Sequence, residues 1–348
     1  MMTPRYSRSY INRVGDVIVD DNSTAEELKS ALSTLNDWRA LHMLPMNSMR
    51  GVLRNCADGV DPHAVVAQRL KRTPTIVDKL KNRQKSMDLG RMHDVGGLRA
   101  IVDSVQSVRM VEKNFIQSNT HALKRTYDYI TEPRVSGYRG IHLVYEYQNP
   151  ENIDCDGLLV EIQLRTQLQH LWSTAVETAG FVFQESLKSS QGNKQRLEFF
   201  QLVSALFAHE EEQPTSETFR QCTREELIDK LRLFEESNGV IPLLSAIHVI
   251  SSDNLPIIDD VSGWLITTTL EPSEVTISPF DKKKQAMATW MYHVFENSDE
   301  CKSGNMQVVL VSTDSIAKLR KAYPNFFLDI GDFVEKVQTL IIPSDIML

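Results

Sequence analysis

Apolar positions recur at helical spacing through the N-terminal part of the chain. Leu28, Ala31, Leu32, Leu35, Trp38 and Leu41 share one face of a predicted helix. Ser23, followed three residues later by Glu26, has the pattern of a capping box at its start. Further helices are predicted over 49–55 and from Pro74 through Lys85. Another is expected over about 63–71, where Asp61-Pro62 would supply an N-cap and a first-turn proline. Residues 1–22, with a short alternating run at Val17-Ile18-Val19, read as an arm. The period then changes to two. Strands are predicted over 98–103, 122–129, 141–147 and 158–165, with helices over 105–118 and 167–180. Strands separated by helices after a helical opening imply an α+β fold, a mixed β-sheet flanked by helices.

Residues 181–240 are predicted helical and polar, and the acidic run Glu210-Glu211-Glu212 reads as a solvated helix end. Strands at 246–250, 263–270, 274–277 and 306–312, with helices at 282–296 and 313–321, then suggest a small α/β module. The expected organisation is an arm over 1–22, a principal domain over 23–185, a helical connector over 186–243 and the module over 244–348. The module carries none of the chemistry-bearing motifs described next, and a regulatory or oligomerising role is expected for it. Tyr323-Pro324-Asn325-Phe326-Phe327 would be its packing plug or a partner-binding surface.

Composition narrows the class. The 348 residues are 41% hydrophobic and 24% charged, which excludes a mainly disordered or fibrous chain. No apolar stretch approaches the ~18–20 residues of a membrane helix, and no secretory signal core opens the chain. Cys56, Cys155, Cys222 and Cys301 are far apart without a C-x-x-C pair, as free thiols in a reducing cytoplasm would be. The net charge of -8 argues against nucleic-acid binding through bulk charge. Residues 66–100 nevertheless hold nine Lys/Arg against three Asp. Such a run is either a solvated basic helix or one wall of a phosphate site.

Three segments bear on that choice. The first runs from Arg69-Leu70-Lys71-Arg72 through Lys79 to Arg91-Met92-His93-Asp94-Val95-Gly96-Gly97-Leu98-Arg99. The second is Tyr127-Asp128-Tyr129-Ile130 with Pro133-Arg134-Val135-Ser136-Gly137-Tyr138-Arg139-Gly140-Ile141-His142. The third is Glu161-Ile162-Gln163-Leu164-Arg165-Thr166. On a strand, Glu161, Gln163 and Arg165 share one face, and Val160, Ile162 and Leu164 the other. Asp94, beside two glycines, and Glu161 would converge from neighbouring strands as two oxygen ligands for Mg²⁺. Arg69, Lys71, Lys79 and Arg99 would balance a triphosphate, although the same charges would equally form surface ion pairs. Tyr138 would stack on a base or pack in a loop, with Arg134 and His142 near phosphates or a ribose.

The succession RMHDVGGLRAIV, YDYITEPRVSGYRGIH and VEIQLRTQLQHLW resembles the synthetase domain of RelA/SpoT-type enzymes, over about residues 10–190. The resemblance implies a nucleotidyltransferase-like fold and transfer of the β,γ-diphosphate of ATP to the 3′ hydroxyl of GDP or GTP, giving (p)ppGpp. It implies that Asp94 and Glu161 hold Mg²⁺ and that Glu161 is the base. Arg69 and Arg99 would sandwich adenine, and Lys71 and Lys79 would meet the ATP phosphates. Tyr138 would stack on the acceptor base, with Arg134, His142, Gln163 and Arg165 around the acceptor. Arg134 stands where many members have lysine. Some branches of the family are toxins that modify the 3′ end of tRNA or make adenosine alarmones, so tRNA is a second expected acceptor class. A non-catalytic nucleotide sensor is a third reading, and the presence of both carboxylates weighs against it. His93-Asp94 is an HD dipeptide without the further histidines of an HD hydrolase. A cytoplasmic protein with no membrane partner, assembling as a homo-oligomer, completes the expectation.

Overall fold

The computed structural model describes residues 5–83, 88–183, 185, 187, 192–245, 262–270, 274–312 and 330–341. The described N-terminal residues are helical. Helix α1 covers Arg8–Val19, α2 Ala25–Leu41 and α3 Met43–Asp58. The expected arm is therefore mostly helix, and Val17-Ile18-Val19 closes α1 with Ile18 buried. The capping box of α2 is formed by Thr24 and Glu27, one residue later than the Ser23–Glu26 pair. Ser23 instead donates its hydroxyl to Val17 O.

The helix expected over 63–71 is strand β1, Val65–Leu70. Asp61 opens a turn in place of a helix. Its carboxylate accepts the N–H of His63 at 2.8 Å and that of Asp103 at 3.0 Å, which ties this segment to the end of the neighbouring strand. Val65 and Val66, β-branched and buried, then run antiparallel to β2, Gly96–Val102. Helix α4, Thr73–Asp78, and a π-type turn over Lys79–Arg83 occupy the predicted 74–85 helix as far as the described residues reach. Then follow α5 (Val105–Ser118), β3 (Ala122–Asp128), β4 (Ile141–Glu146), β5 (Leu159–Thr166) and α6 (Gln167–Val182), close to their predicted positions.

Next come α7 (Lys194–Glu210), α8 (Arg224–Asn238) and α9 (Val240–Ser245). The remaining elements are β6 (Gly263–Thr269), β7 (Glu274–Phe280), α10 (Gln285–Glu296), α11 (Asp299–Lys302), β8 (Met306–Ser312) and α12 (Gly331–Ile341). The predicted strand at 246–250, the predicted helix at 313–321 and the aromatic cluster at 323–327 lie outside the described residues. The eight strands form one mixed sheet in the order β3-β4-β5-β2-β1-β8-β6-β7. Among the described residues, only β2 and β5 pair in parallel. Antiparallel β8 joins β1 through Gln68–Ser312 and Arg69–Val311, so the strands of 244–348 extend the sheet.

One face of the sheet packs Leu98, Ala100, Leu143, Ile162 and Leu164 against α3 and α5. A separate apolar cluster joins α6 to α9 and α12, with Phe199, Phe200, Phe207 and Phe333 at its centre. The predicted polar connector thus holds a core of its own. No helix among the described residues is long and apolar enough to cross a membrane. All four cysteines are free.

Candidate active site

The opposite face of the sheet carries the polar row. Register places His142 of β4 beside Gln163 of β5, Gln163 beside Arg99 of β2, and Glu161 beside Gly97, which in turn faces Arg69 of β1. A Cβ at residue 97 would point into the space between Glu161 and Arg69, with its nearest atoms their carbonyl oxygens at 3.7 and 3.9 Å. It would meet only ordinary contacts, so the glycine keeps the strand surface between Glu161 and Arg69 low without a steric demand for it.

Two groups of predicted residues assemble here. In the first, Asp94 accepts Lys71 Nζ at 2.8 Å on Oδ2 and Lys79 Nζ at 3.0 Å on Oδ1. Burial pushes the Asp94 carboxyl up, but the two ammonium groups outweigh it and hold the carboxyl below its usual range. In the second, Glu161 is 6% exposed. Its Oε1 lies 3.2 Å from His142 Nδ1, and its Oε2 accepts Gln163 Nε2 at 2.7 Å. Burial opposes ionisation of Glu161, yet His142, Gln163 and His93 keep it well below the ordinary carboxylate range. Burial also opposes charge on His142, and its contacts with Tyr138 and Glu161 raise it to about 9. The Glu161 carboxylate thus favours the protonated form of the His142 imidazole that faces it.

His93, set aside in the sequence as part of an HD dipeptide, joins the two groups. Its Nε2 is 3.7 Å from Glu161 Oε1, and its neighbour in the chain is Asp94. The two carboxylates are close enough to repel each other, since Glu161 raises Asp94. Two ionised carboxylates in electrostatic reach suit a hard divalent cation that takes its remaining ligands from phosphate and water. Among the described residues no cluster of three or more His, Cys, Asp or Glu side chains has the geometry to cage a metal alone.

On the expected acceptor side, Tyr138 is 9% exposed. Its hydroxyl is bonded to His142 Nε2 and accepts Arg165 Nη2 at 2.9 Å. Arg165 also donates to Gln163 Oε1 at 3.1 Å. Tyr138 thus sits inside the network with its ring edge-on to Tyr129 and His142. The half-buried aromatic positions nearer the rim are Tyr127 and Tyr129, stacked with centroids 5.9 Å apart and continued by His93 at 6.2 Å. The exposed Arg134 lies 4.4 Å above the Tyr129 ring. No role falls to Tyr127 and Tyr129 from the sequence, although alternation over the predicted 122–129 strand is the signal that puts them on one face.

Glu211 was the least expected member of this region. It was read as solvated, yet it is nearly buried. Its carboxylate binds Arg139 at 2.5 Å, Gln169 at 3.1 Å and the Thr166 hydroxyl, locking the end of α7 to the end of β5. Its neighbours Glu210 and Glu212 are exposed, and Glu210 pairs with Arg224 and Lys336.

Residues 68–185 match the family described as "Region found in RelA / SpoT proteins". This segment, about a third of the chain, is similar to the region shared by RelA and SpoT proteins. The chain is 28% identical over 127 residues to the GTP pyrophosphokinase YjbM of Bacillus subtilis, an alignment covering 36% of this chain and 60% of that protein. It is 28% identical over 126 residues to the GTP pyrophosphokinase YwaC of the same organism, covering 34% and 59%. The matched span is thus about 60% of the length of these curated relatives. The crystal structure of the small alarmone synthetase 1 of Bacillus subtilis aligns with a TM-score of 0.44 at 22% identity, covering 51% of this chain and 93% of that one. The RelA/SpoT match contains every predicted site residue, from Arg69 to Arg165. Glu211, which closes one end of the site, lies beyond it.

Proposed function

We propose that the RelA/SpoT domain of this chain transfers the β,γ-diphosphate of ATP to the 3′ hydroxyl of GDP or GTP, forming (p)ppGpp and AMP. The observation that carries this reading is the pairing of two ionised carboxylates, Asp94 and Glu161, with Lys71 and Lys79 on one side and His142 on the other. Names of relatives such as GTP pyrophosphokinase support it. Lys71 and Lys79 meet the ATP phosphates, and Arg69 and Arg99 frame the donor from β1 and β2. Asp94 and Glu161 would hold Mg²⁺, which would supply charge neutralisation at the phosphates.

The acceptor hydroxyl attacks the β-phosphorus, and the bond to the α-phosphate oxygen breaks, so that AMP leaves with the bonding electrons. The hydroxyl proton passes to the Glu161 carboxylate as the new P–O bond forms. A carboxylate of such low basicity accepts the proton late, once the nucleophile has lost electron density. Its alignment is set by Gln163 and His142, whose contacts fix both oxygens. Tyr138 supports His142 and Arg165 from within the network, and the acceptor base lies toward Tyr127, Tyr129 and Arg134.

Incubation of the full chain with ATP labelled in the γ-phosphate and Mg²⁺, against GDP, GTP, ADP, ATP and bulk tRNA, tests the reading. Label is expected on GDP or GTP, and Asp94→Ala and Glu161→Gln should each reduce transfer by about 10³-fold or more. Transfer to tRNA or adenine nucleotides alone would move the protein to another acceptor class. Full turnover by Glu161→Gln would remove that residue from the chemistry.

A further inference from the structure

We propose that Glu296 and Tyr292 of α10, far outside the RelA/SpoT match, are positioning residues for Lys71 in the donor site. This rests on the reading of that site as an ATP-dependent diphosphotransferase. Helix α4 begins at Thr73 immediately after Lys71 and Arg72, and no side chain of its own segment caps it. Glu296, 223 residues away in sequence, takes that role. Its Oε1 accepts the Thr73 N–H at 2.7 Å, and its Oε2 accepts the Thr73 hydroxyl at 3.2 Å. Arg39 of α2, wholly buried, completes the cluster. It donates to Glu296 Oε2 at 3.0 Å, to the Tyr292 hydroxyl at 2.8 Å and to Thr73 Oγ1 at 2.7 Å. Its Nε donates to the backbone oxygen of Lys71 at 3.0 Å. The Tyr292 hydroxyl donates to Glu296 Oε1 at 2.6 Å.

The backbone of Lys71 is therefore held at both ends. Its N–H donates to Val95 O at 2.8 Å, next to Asp94, and its carbonyl accepts Arg39. Between those anchors, Lys71 Nζ reaches Asp94. A buried ion pair is weak grounds for stability, because an apolar cluster of equal volume commonly serves as well. What this pair does that an apolar cluster cannot is satisfy the Lys71 C=O and the Thr73 N–H, the backbone groups that flank the turn carrying Lys71 into α4. Phosphoryl transfer depends on such aim, since a shift of about 1 Å in a positioning group costs on the order of a hundredfold.

The test uses the full chain with Tyr292→Phe, Glu296→Gln, Lys71→Ala and the double variant of Glu296→Gln with Lys71→Ala. ATP affinity is read by calorimetry with a non-hydrolysable analogue, alongside KM for ATP and GDP and thermal unfolding. Tyr292→Phe and Glu296→Gln are expected to weaken ATP about 3- to 10-fold with KM for GDP unchanged. In the Lys71→Ala background, Glu296→Gln should weaken it no further. If Glu296→Gln does not fold, Tyr292→Phe alone carries the comparison. Unchanged ATP affinity in the folded variants, or losses that add to that of Lys71→Ala, would overturn the inference while leaving the proposed activity standing. An unmodified chain that binds ATP but transfers nothing would sink the activity and leave the positioning measurable by binding. One that binds no ATP would sink both.

Discussion

Single residues in this site are defined by what holds them. Tyr138 separates two roles that its sequence context leaves open. A ring that stacks on a base would survive replacement by phenylalanine. A hydroxyl that holds His142 and Arg165 would not. Tyr138→Phe is therefore expected to lower turnover about tenfold and stability by about 1–3 kcal/mol, read by steady-state rates and denaturant unfolding. Unchanged turnover would return Tyr138 to the stacking role. His42 gives a pH dependence remote from the carboxylates. It is completely buried, with Nδ1 3.0 Å from Trp38 O, and burial together with Arg39 lowers it to about 4. Unfolded, it would titrate near 6.5, so the unfolded chain binds the extra proton first. This contribution to stability is complete above about pH 6.5 and lost as pH falls toward 4, by up to about 3 kcal/mol. A His42→Gln variant should show a flatter stability profile across that window in urea unfolding.

Elements explain why residue patterns were read well in one stretch and poorly in another. The row Glu161, Gln163, Arg165 was legible because alternation in a strand is a local property. Strand β1 was not, because Asp61-Pro62 imitates a helix start and its partner β2 begins some thirty residues later in the chain. The acidic run at the end of α7 illustrates the same limit. Glu210 and Glu211 are adjacent and identical, yet one lies on the surface and the other meets buried Arg139. Removing Glu211 leaves that guanidinium buried without its carboxylate. Glu211→Ala is expected to cost about 3–5 kcal/mol, measured by denaturant unfolding, with Glu210→Ala within about 1 kcal/mol of the parent. Gly137 depends on α7 as well. Its φ is +91°, and a Cβ there would come within 2.8 Å of Ser204 Cβ.

At the scale of the whole molecule, the C-terminal strands and the domain share structure. Val65, Ala67 and Ile101 pack with Trp264, Ile266, Val309 and Val311 in one apolar cluster across the β1–β8 junction. Phe333 of α12 packs among Phe199, Phe200 and Phe207 of α7. Arg39 is buried against Glu296. A chain ending at residue 245 would uncover that apolar face and leave Arg39 buried without its carboxylate. Such a truncation is expected to aggregate or to unfold at least 10 °C below the full chain in thermal scans. A truncated chain as stable as the parent would show the C-terminal part to be an independent appendage.

The sequence by itself determined which residues gather at the candidate site. Carboxylates, lysines and glycines at those spacings, on strands whose alternate residues are apolar, carry a resemblance that agrees with the RelA/SpoT match. Local rules were enough because each motif lies within one element and its flanking turns. Only the tertiary structure decided that β1 is a strand, that His93 joins Asp94 to Glu161, that Glu211 is buried, and that α10 reaches the loop carrying Lys71. Those outcomes depend on hydrogen bonds and burial between residues tens to hundreds of positions apart, and local periodicity holds no record of such pairings.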